Sequence, residues 1–156
     1  MAAVTGNPYI TPFLWFDGNA EEAAEFYISI FPNSRRLTEL RNTGDAPGPK
    51  GGVLTIAFEL SGTKFVALNG GPGYNFNQAV SFVVNCDSQE EIDYYWSKLT
   101  AGGTEIQCGW LKDKFGLCWQ VTPTRIGELL KNSKGMQAMM RMKKFDIAEL
   151  ERASQE

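Results

Sequence analysis

The chain contains no histidine. That absence removes Ser-His-Asp and Cys-His nucleophile arrangements, histidine acid–base chemistry and the imidazole ligands of common catalytic metal sites. Cysteine is scarce: Cys86, Cys108 and Cys118 are an odd number with no CxxC spacing. They fit reduced thiols in the cytoplasm better than a disulfide framework. No apolar run approaches the roughly 20 residues that a membrane-spanning helix needs. The opening MAAVTGNPYI has neither the basic nor the apolar region of a secretory leader. With 15 Lys+Arg against 18 Asp+Glu and a net charge of −3, the concentrated basic face of a nucleic-acid binder is missing. The one dense glycine run, Gly70-Gly71-Pro72-Gly73, leads into Tyr74 and Asn75 rather than a helix, so it reads as a linker and not a dinucleotide turn. The expectation is a cytoplasmic protein with a small-molecule partner and neither nucleic acid nor membrane.

What is present is a repeat. Leu14 to Phe31 (LWFDGNAEEAAEFYISIF) lies without a gap over Phe82 to Leu99 (FVVNCDSQEEIDYYWSKL). Glu22 falls on Glu90, Tyr27 on Tyr95 and Ser29 on Ser97, with apolar positions on apolar ones almost throughout. Each copy reads as a strand, a polar turn and a helix, with further strands following. In the first, Ile10 to Phe16 reads as a strand with Pro12 near its start, and Asn19 as a helix cap. Ala24, Tyr27, Ile28 and Phe31 then form an apolar stripe that ends at Pro32. Arg35 to Arg41, Val53 to Leu60 and Lys64 to Asn69 follow as strands. In Val53 to Leu60, strict alternation puts Leu54, Ile56, Phe58 and Leu60 on one face. The glycine- and proline-rich Asn42 to Gly52 is expected to be the mobile segment. In the second copy Ala79 to Asn85 is a strand, Asp87 or Ser88 a cap, and Ile92, Tyr95, Trp96 and Leu99 the stripe. Thr104 to Leu111 and Leu117 to Val121 are strands around the Lys112–Gly116 turn. A helical tail runs from Pro123 to about Ala153, interrupted near Asn132 to Gly135.

Several blocks carry a resemblance: Ile10-Thr11-Pro12-Phe13-Leu14-Trp15-Phe16-Asp17-Gly18, Leu68-Asn69-Gly70-Gly71-Pro72, Gly109-Trp110-Leu111-Lys112-Asp113-Lys114-Phe115-Gly116 and the tail Met142-Lys143-Lys144-Phe145-Asp146-Ile147. Over nearly its whole length the chain resembles the PhnB-like branch of the vicinal oxygen chelate superfamily. That superfamily includes glyoxalases, bleomycin-resistance proteins and dioxygenases, and many PhnB-like members carry the label 3-demethylubiquinone-9 3-methyltransferase. The resemblance implies an α+β fold of paired βαβββ modules around a shared cleft, with C-terminal helices, and a homodimer. The expected division is module one over 8–70, a linker over 71–78, module two over 79–123 and the tail over 124–156. Family enzymes hold a divalent metal with two side chains per module. Here those positions fall on Thr11, on Ala67 or Asn69, on Ala79 or Ser81, and on Gln120. None is charged, an imidazole or a thiolate, so no metal and no cofactor is expected.

Strand alternation sends Phe13 and Trp15 away from the helix, and Phe65, Trp110 and Tyr74 are candidates to join them as walls for an apolar or planar ligand. Asn69, Ser81 and Gln120 are the candidate polar contacts. Glu59 and Glu105 are the only weak candidates for a catalytic base, set against a plainer role as edge-strand charges. Asp113 reads as a turn residue, and Cys108 and Cys118 as small buried thiols on neighbouring strands. Three functions stay open: metal-free binding of a small molecule, an enzyme of lyase, isomerase or dioxygenase type, and the methyltransferase of the family label.

Overall fold

The computed structural model describes residues 7–156 of the chain. They form two compact units, the first ending at Asn75 and the second beginning at Phe76. In the first, β1 (Phe13–Phe16), α1 (Ala20–Ile30), β2 (Arg35–Arg41), β3 (Val53–Leu60) and β4 (Thr63–Asn69) make a four-stranded sheet in the order β1-β4-β3-β2. In the second, β5 (Ser81–Cys86), α2 (Gln89–Thr100), β6 (Thr104–Glu105), β7 (Trp110–Lys112) and β8 (Cys118–Pro123) repeat it as β5-β8-β7-β6. The first and last strands of each unit pair in parallel and the others antiparallel. Each unit is thus a βαβββ module of the expected α+β class. Three short helices close the chain: α3 (Ile126–Leu129), α4 (Ser133–Met140) and α5 (Ile147–Ser154). Among the described residues, no helix is long and apolar enough to cross a membrane.

A helix covers one face of each sheet, so period-2 alternation decides what is buried. In the first module Tyr27 of α1 stacks on Phe58, which stacks on Phe65, at centroid distances of 6.4 and 5.7 Å. The buried stripe of α1 is Ala20, Ala23, Ala24, Tyr27 and Ile30. Ile28 and Phe31, expected in that stripe, are only half-buried. In α2 the buried residues are Ile92, Trp96 and Leu99, and Tyr95 is half-buried. The two helices therefore present faces about one residue apart, and the bulky Trp96 takes the inward place that Tyr27 holds in α1.

The helix starts differ from expectation in an instructive way. Asn19 makes no capping bond with its side chain; the first N–H of α1, at Ala20, is instead accepted by Asn69 Oδ1 at 2.9 Å. At α2, Ser88 Oγ accepts from the Glu91 N–H, and Glu91 reaches back to accept from the Asp87 N–H at 3.0 Å. This is a reciprocal cap of the Ser-x-x-Glu kind. The tail breaks twice, because Asn132 and Asp146 each cap a new helix by accepting from the N–H three residues on.

The Asn42–Gly52 loop is knit around one buried side chain rather than loose. Asn42, 4% exposed, points Nδ2 at the carbonyls of Ala46, Pro47 and Gly48, while Oδ1 accepts from the N–H groups of Gly44 and Ala46. Its backbone also pairs with Gly51 and Gly52. Asn42→Ala should therefore cost about 1–3 kcal/mol, the penalty for stranding buried polar partners. Faster amide hydrogen exchange confined to residues 44–52 would show it; unchanged exchange there would contradict the assignment.

Candidate functional site

The register of the parallel strand pairs assigns every candidate to a face. Phe13 lies opposite Val66, Leu14 opposite Ala67, Trp15 opposite Leu68 and Phe16 opposite Asn69. Leu14 and Phe16 are buried beneath α1, so Phe13 and Trp15 occupy the other face, as alternation requires. Phe13 is 58% exposed there. Trp15 is held rigidly: its Nε1 donates to the Gly71 carbonyl at 2.8 Å, and Tyr74 meets its ring edge-on at 4.9 Å. Any Cβ on Gly70 would come within 2.4 Å of the indole, so only glycine admits this approach. Tyr74 itself is 71% exposed. Phe13, Trp15 and Tyr74 make an aromatic wall in the first module.

Two expectations about this face are corrected. Phe65 pairs with Phe58 across the strands and is buried with it under α1, so it is core on the opposite face. Asn69 also faces α1: it caps that helix and donates from Nδ2 to the Val53 carbonyl at 2.9 Å. Register further shows which residue in the first module corresponds to Gln120. Gln120 lies opposite Val83, whose repeat partner is Trp15, and Trp15 lies opposite Leu68. The counterpart is Leu68, neither Ala67 nor Asn69.

In the second module Phe82 and Val84 turn inward with Trp119 and Val121, leaving Ser81, Val83 and Gln120 on the face away from α2. Gln120 Nε2 donates to Ser81 Oγ at 2.9 Å. Trp110 lies directly opposite Gln120 on β7 and is half-buried. Val83, not foreseen as a site residue, is 48% exposed beside this pair; an apolar residue alternating with serine on one strand was the signal for it. The repeat thus builds one apolar wall and one polar one.

The carboxylates are engaged elsewhere. Glu59 lies on the face away from α1 but pairs with Arg35 at 3.0 Å. Glu105 turns toward α2, where its Oε1 accepts from Trp96 Nε1 at 2.7 Å. Asp113 is 2% exposed and fully used by its turn, accepting from the Phe115 and Leu117 N–H groups and from Trp119 Nε1. A buried carboxylate with three donors is a structural anchor.

A metal at the family positions does not suit these side chains. Ser81 and Gln120 are bonded to each other, Asn69 is spent on α1 and β3, and Thr11 and Ala79 bring no strong ligand. Neutral hydroxyls and amides hold transition metals weakly. Among the described residues no group of three or more His, Cys, Asp or Glu could hold an ion.

Residues 8–122 match the family model described as 3-demethylubiquinone-9 3-methyltransferase. The chain belongs to that family. A solved structure described as a putative 3-demethylubiquinone-9 3-methyltransferase, a PhnB protein from Bacillus cereus, is 36% identical, with a TM-score of 0.68 over 74% of this chain and 99% of its own. Protein PA1353 from Pseudomonas aeruginosa is 23% identical, with a TM-score of 0.60 over 75% of this chain and 98% of its own. A fosfomycin resistance protein, FosX, from Listeria monocytogenes shares the fold at 17% identity, with a TM-score of 0.56 over 83% of this chain and 99% of its own. The paired βαβββ fold is therefore shared with the PhnB protein and, at lower identity, with FosX. No curated protein matches the chain.

The three thiols separate by environment. Burial, with the Glu91 and Asp87 carboxylates adding to it, pushes Cys86 up from 9.0 to about 12. Burial also raises Cys118, with Asp113 reinforcing and Lys112 opposing. Cys108 lies off the strands, in the 106–109 loop at φ 57°, and is half-exposed, which corrects its placement on a strand beside Cys118. Iodoacetamide applied to the native protein near pH 8 should label Cys108 alone. An unfolded Cys86 loses its proton above about 9, whereas the folded one keeps it to about 12. Stability should accordingly fall as pH rises through that window, and the slope should be shallower in Cys86→Ala. Denaturant titrations across alkaline pH would check this, and an identical slope would refute the assignment.

Proposed function

We propose that this chain binds a small apolar or planar molecule on the helix-free faces of its sheets, without a metal, as a cytoplasmic homodimer. The observation that carries the reading is the Ser81–Gln120 hydrogen bond. With Gln120 Nε2 donating to Ser81 Oγ, the serine O–H remains to donate and Gln120 Oε1 remains to accept. A donor beside an acceptor suits a ligand carrying a carbonyl next to an N–H or O–H. Trp110 and Val83 flank the pair as its apolar neighbours, and the first module carries an aromatic face of its own in Phe13, Trp15 and Tyr74. A few fixed polar groups among apolar walls is the usual composition of a small-molecule site.

Binding is favoured over catalysis because Glu59 and Glu105, the candidate bases, already serve Arg35 and Trp96. The methyl transfer named in the family's description is not part of this reading. The strand–helix turns Asp17-Gly18-Asn19 and Asp87-Ser88 are not glycine-rich cofactor turns. The dimer is supported by apolar surface on α4, where Met136 and Met140 stand 44% and 60% exposed.

Native mass spectrometry of the purified protein should reveal a co-purified compound or supply the ligand from a panel of planar molecules. Gln120→Leu should then weaken binding by about 1–3 kcal/mol, the cost of an unpaired polar partner. Trp110→Ala should weaken it by about 0.5–1.5 kcal/mol, the value of an aromatic contact. Full affinity in both variants would sink the site. Stoichiometric nickel, zinc, iron or manganese that survives dialysis would sink the metal-free reading. A clean monomer in sedimentation would remove the dimer.

A further inference from the structure

The C-terminal helices border an open pocket as well as packing on the second module. A cavity of about 340 Å³ lies where the end of β5, the turn into α2, the end of β8 and α5 come together. Its apolar wall is formed by Cys86, Pro123, Leu129, Ile147 and Ala148. The family match ends at residue 122, and Leu129, Ile147 and Ala148 come from α3 and α5, which follow it. From this we infer that the tail builds a second binding site in the second module, for a small, neutral, mainly apolar molecule. It is independent of the sheet-face site.

Charge decides the ligand class. Arg125 Nη2 lies 3.0 Å from Glu151 and its Nε 3.6 Å from Glu128. Asp87 accepts from the Thr124 hydroxyl at 2.8 Å. Every charged group on the wall already has a partner, so a charged ligand would have to break one of these pairs. The Cys86 thiol is protonated at neutral pH and adds no charge. The wall is also held in place by its own bonds. Gln89 donates from Nε2 to the Phe145 carbonyl and accepts the Ile147 N–H at Oε1, both at 2.9 Å, which seats the start of α5. At the centre of that stretch α5 presents the small side chain of Ala148, which leaves the space open. The volume holds roughly ten water-sized groups, enough for a one- or two-ring molecule.

Indole is a suitable neutral probe for the full-length, ¹⁵N-labelled protein. Titration should give saturable shifts at the amides of Cys86, Leu129 and Ile147. Ala148 is exposed and helical, so Ala148→Trp should fill the cavity and weaken binding at least about tenfold with the helical content retained. Ala148→Leu serves as the milder filling variant should the tryptophan disturb folding. Gln120→Leu should leave these shifts unchanged, which separates this site from the sheet-face site. The inference is overturned by an absence of saturable shifts at those amides up to millimolar indole. It is overturned equally by undiminished binding in a well-folded filling variant, or by shifts confined to residues around Tyr74, Ser81 and Gln120.

Discussion

The parallel pairing of the first and last strands in each module is the constraint on which the rest depends. A parallel pair needs a long crossover, and in each module α1 or α2 provides the first leg of it and covers one face. Register then leaves no freedom: a shift of one residue would exchange Leu14, Phe16 and Ala67 with Phe13, Trp15 and Leu68. The hydrophobic cost of exposing the buried Leu14, Phe16 and Phe65 in place of Phe13 excludes that slip. The same rule in the second module turns Trp119 and Val121 inward and leaves Ser81 and Gln120 on the other face.

Polar side chains at strand ends act here mainly as builders. Asn69 joins α1 to β3, Asp113 gathers a turn and an indole, Asn42 organises an eleven-residue loop, and Gln89 ties the tail to α2. Each satisfies backbone groups that a helix end or loop would otherwise leave without partners. Ser81 and Gln120 differ, because they bond to each other and keep capacity to spare. That spare capacity, rather than residue type, is why the proposed contact is placed on Ser81 and Gln120.

The duplicated module has diverged in chemistry while keeping its topology. The positions that carry Phe13, Trp15 and Leu68 in the first copy carry Ser81, Val83 and Gln120 in the second. One copy offers ring surface and the other hydrogen bonds. Beyond the repeat, the tail fastens to the second module through the Cys108 and Gly109 N–H groups, which donate to the Met142 and Lys143 carbonyls. Gly109 is required there, since a Cβ would lie 2.4 Å from the Phe145 ring.

The sequence by itself determined the repeat, from its gapless self-alignment. It also determined the face of Val53 to Leu60 and the outward direction of Phe13 and Trp15, which follow from period-2 alternation within one strand. The break of Thr104 to Leu111 into β6 and β7 did not show in it. The absence of histidine likewise determined which chemistries were excluded. Tertiary structure alone decided the partners across strands. Phe65 and Asn69 went to the helix face because β4 pairs with β3 and β1 in a register that no single strand encodes. Glu105 went to Trp96, across the turn between α2 and β6, and α5 of the tail to the end of β8, and both are contacts between separate elements. Alternation is a local property of the backbone, whereas register and the satisfaction of polar groups depend on what the rest of the chain brings alongside.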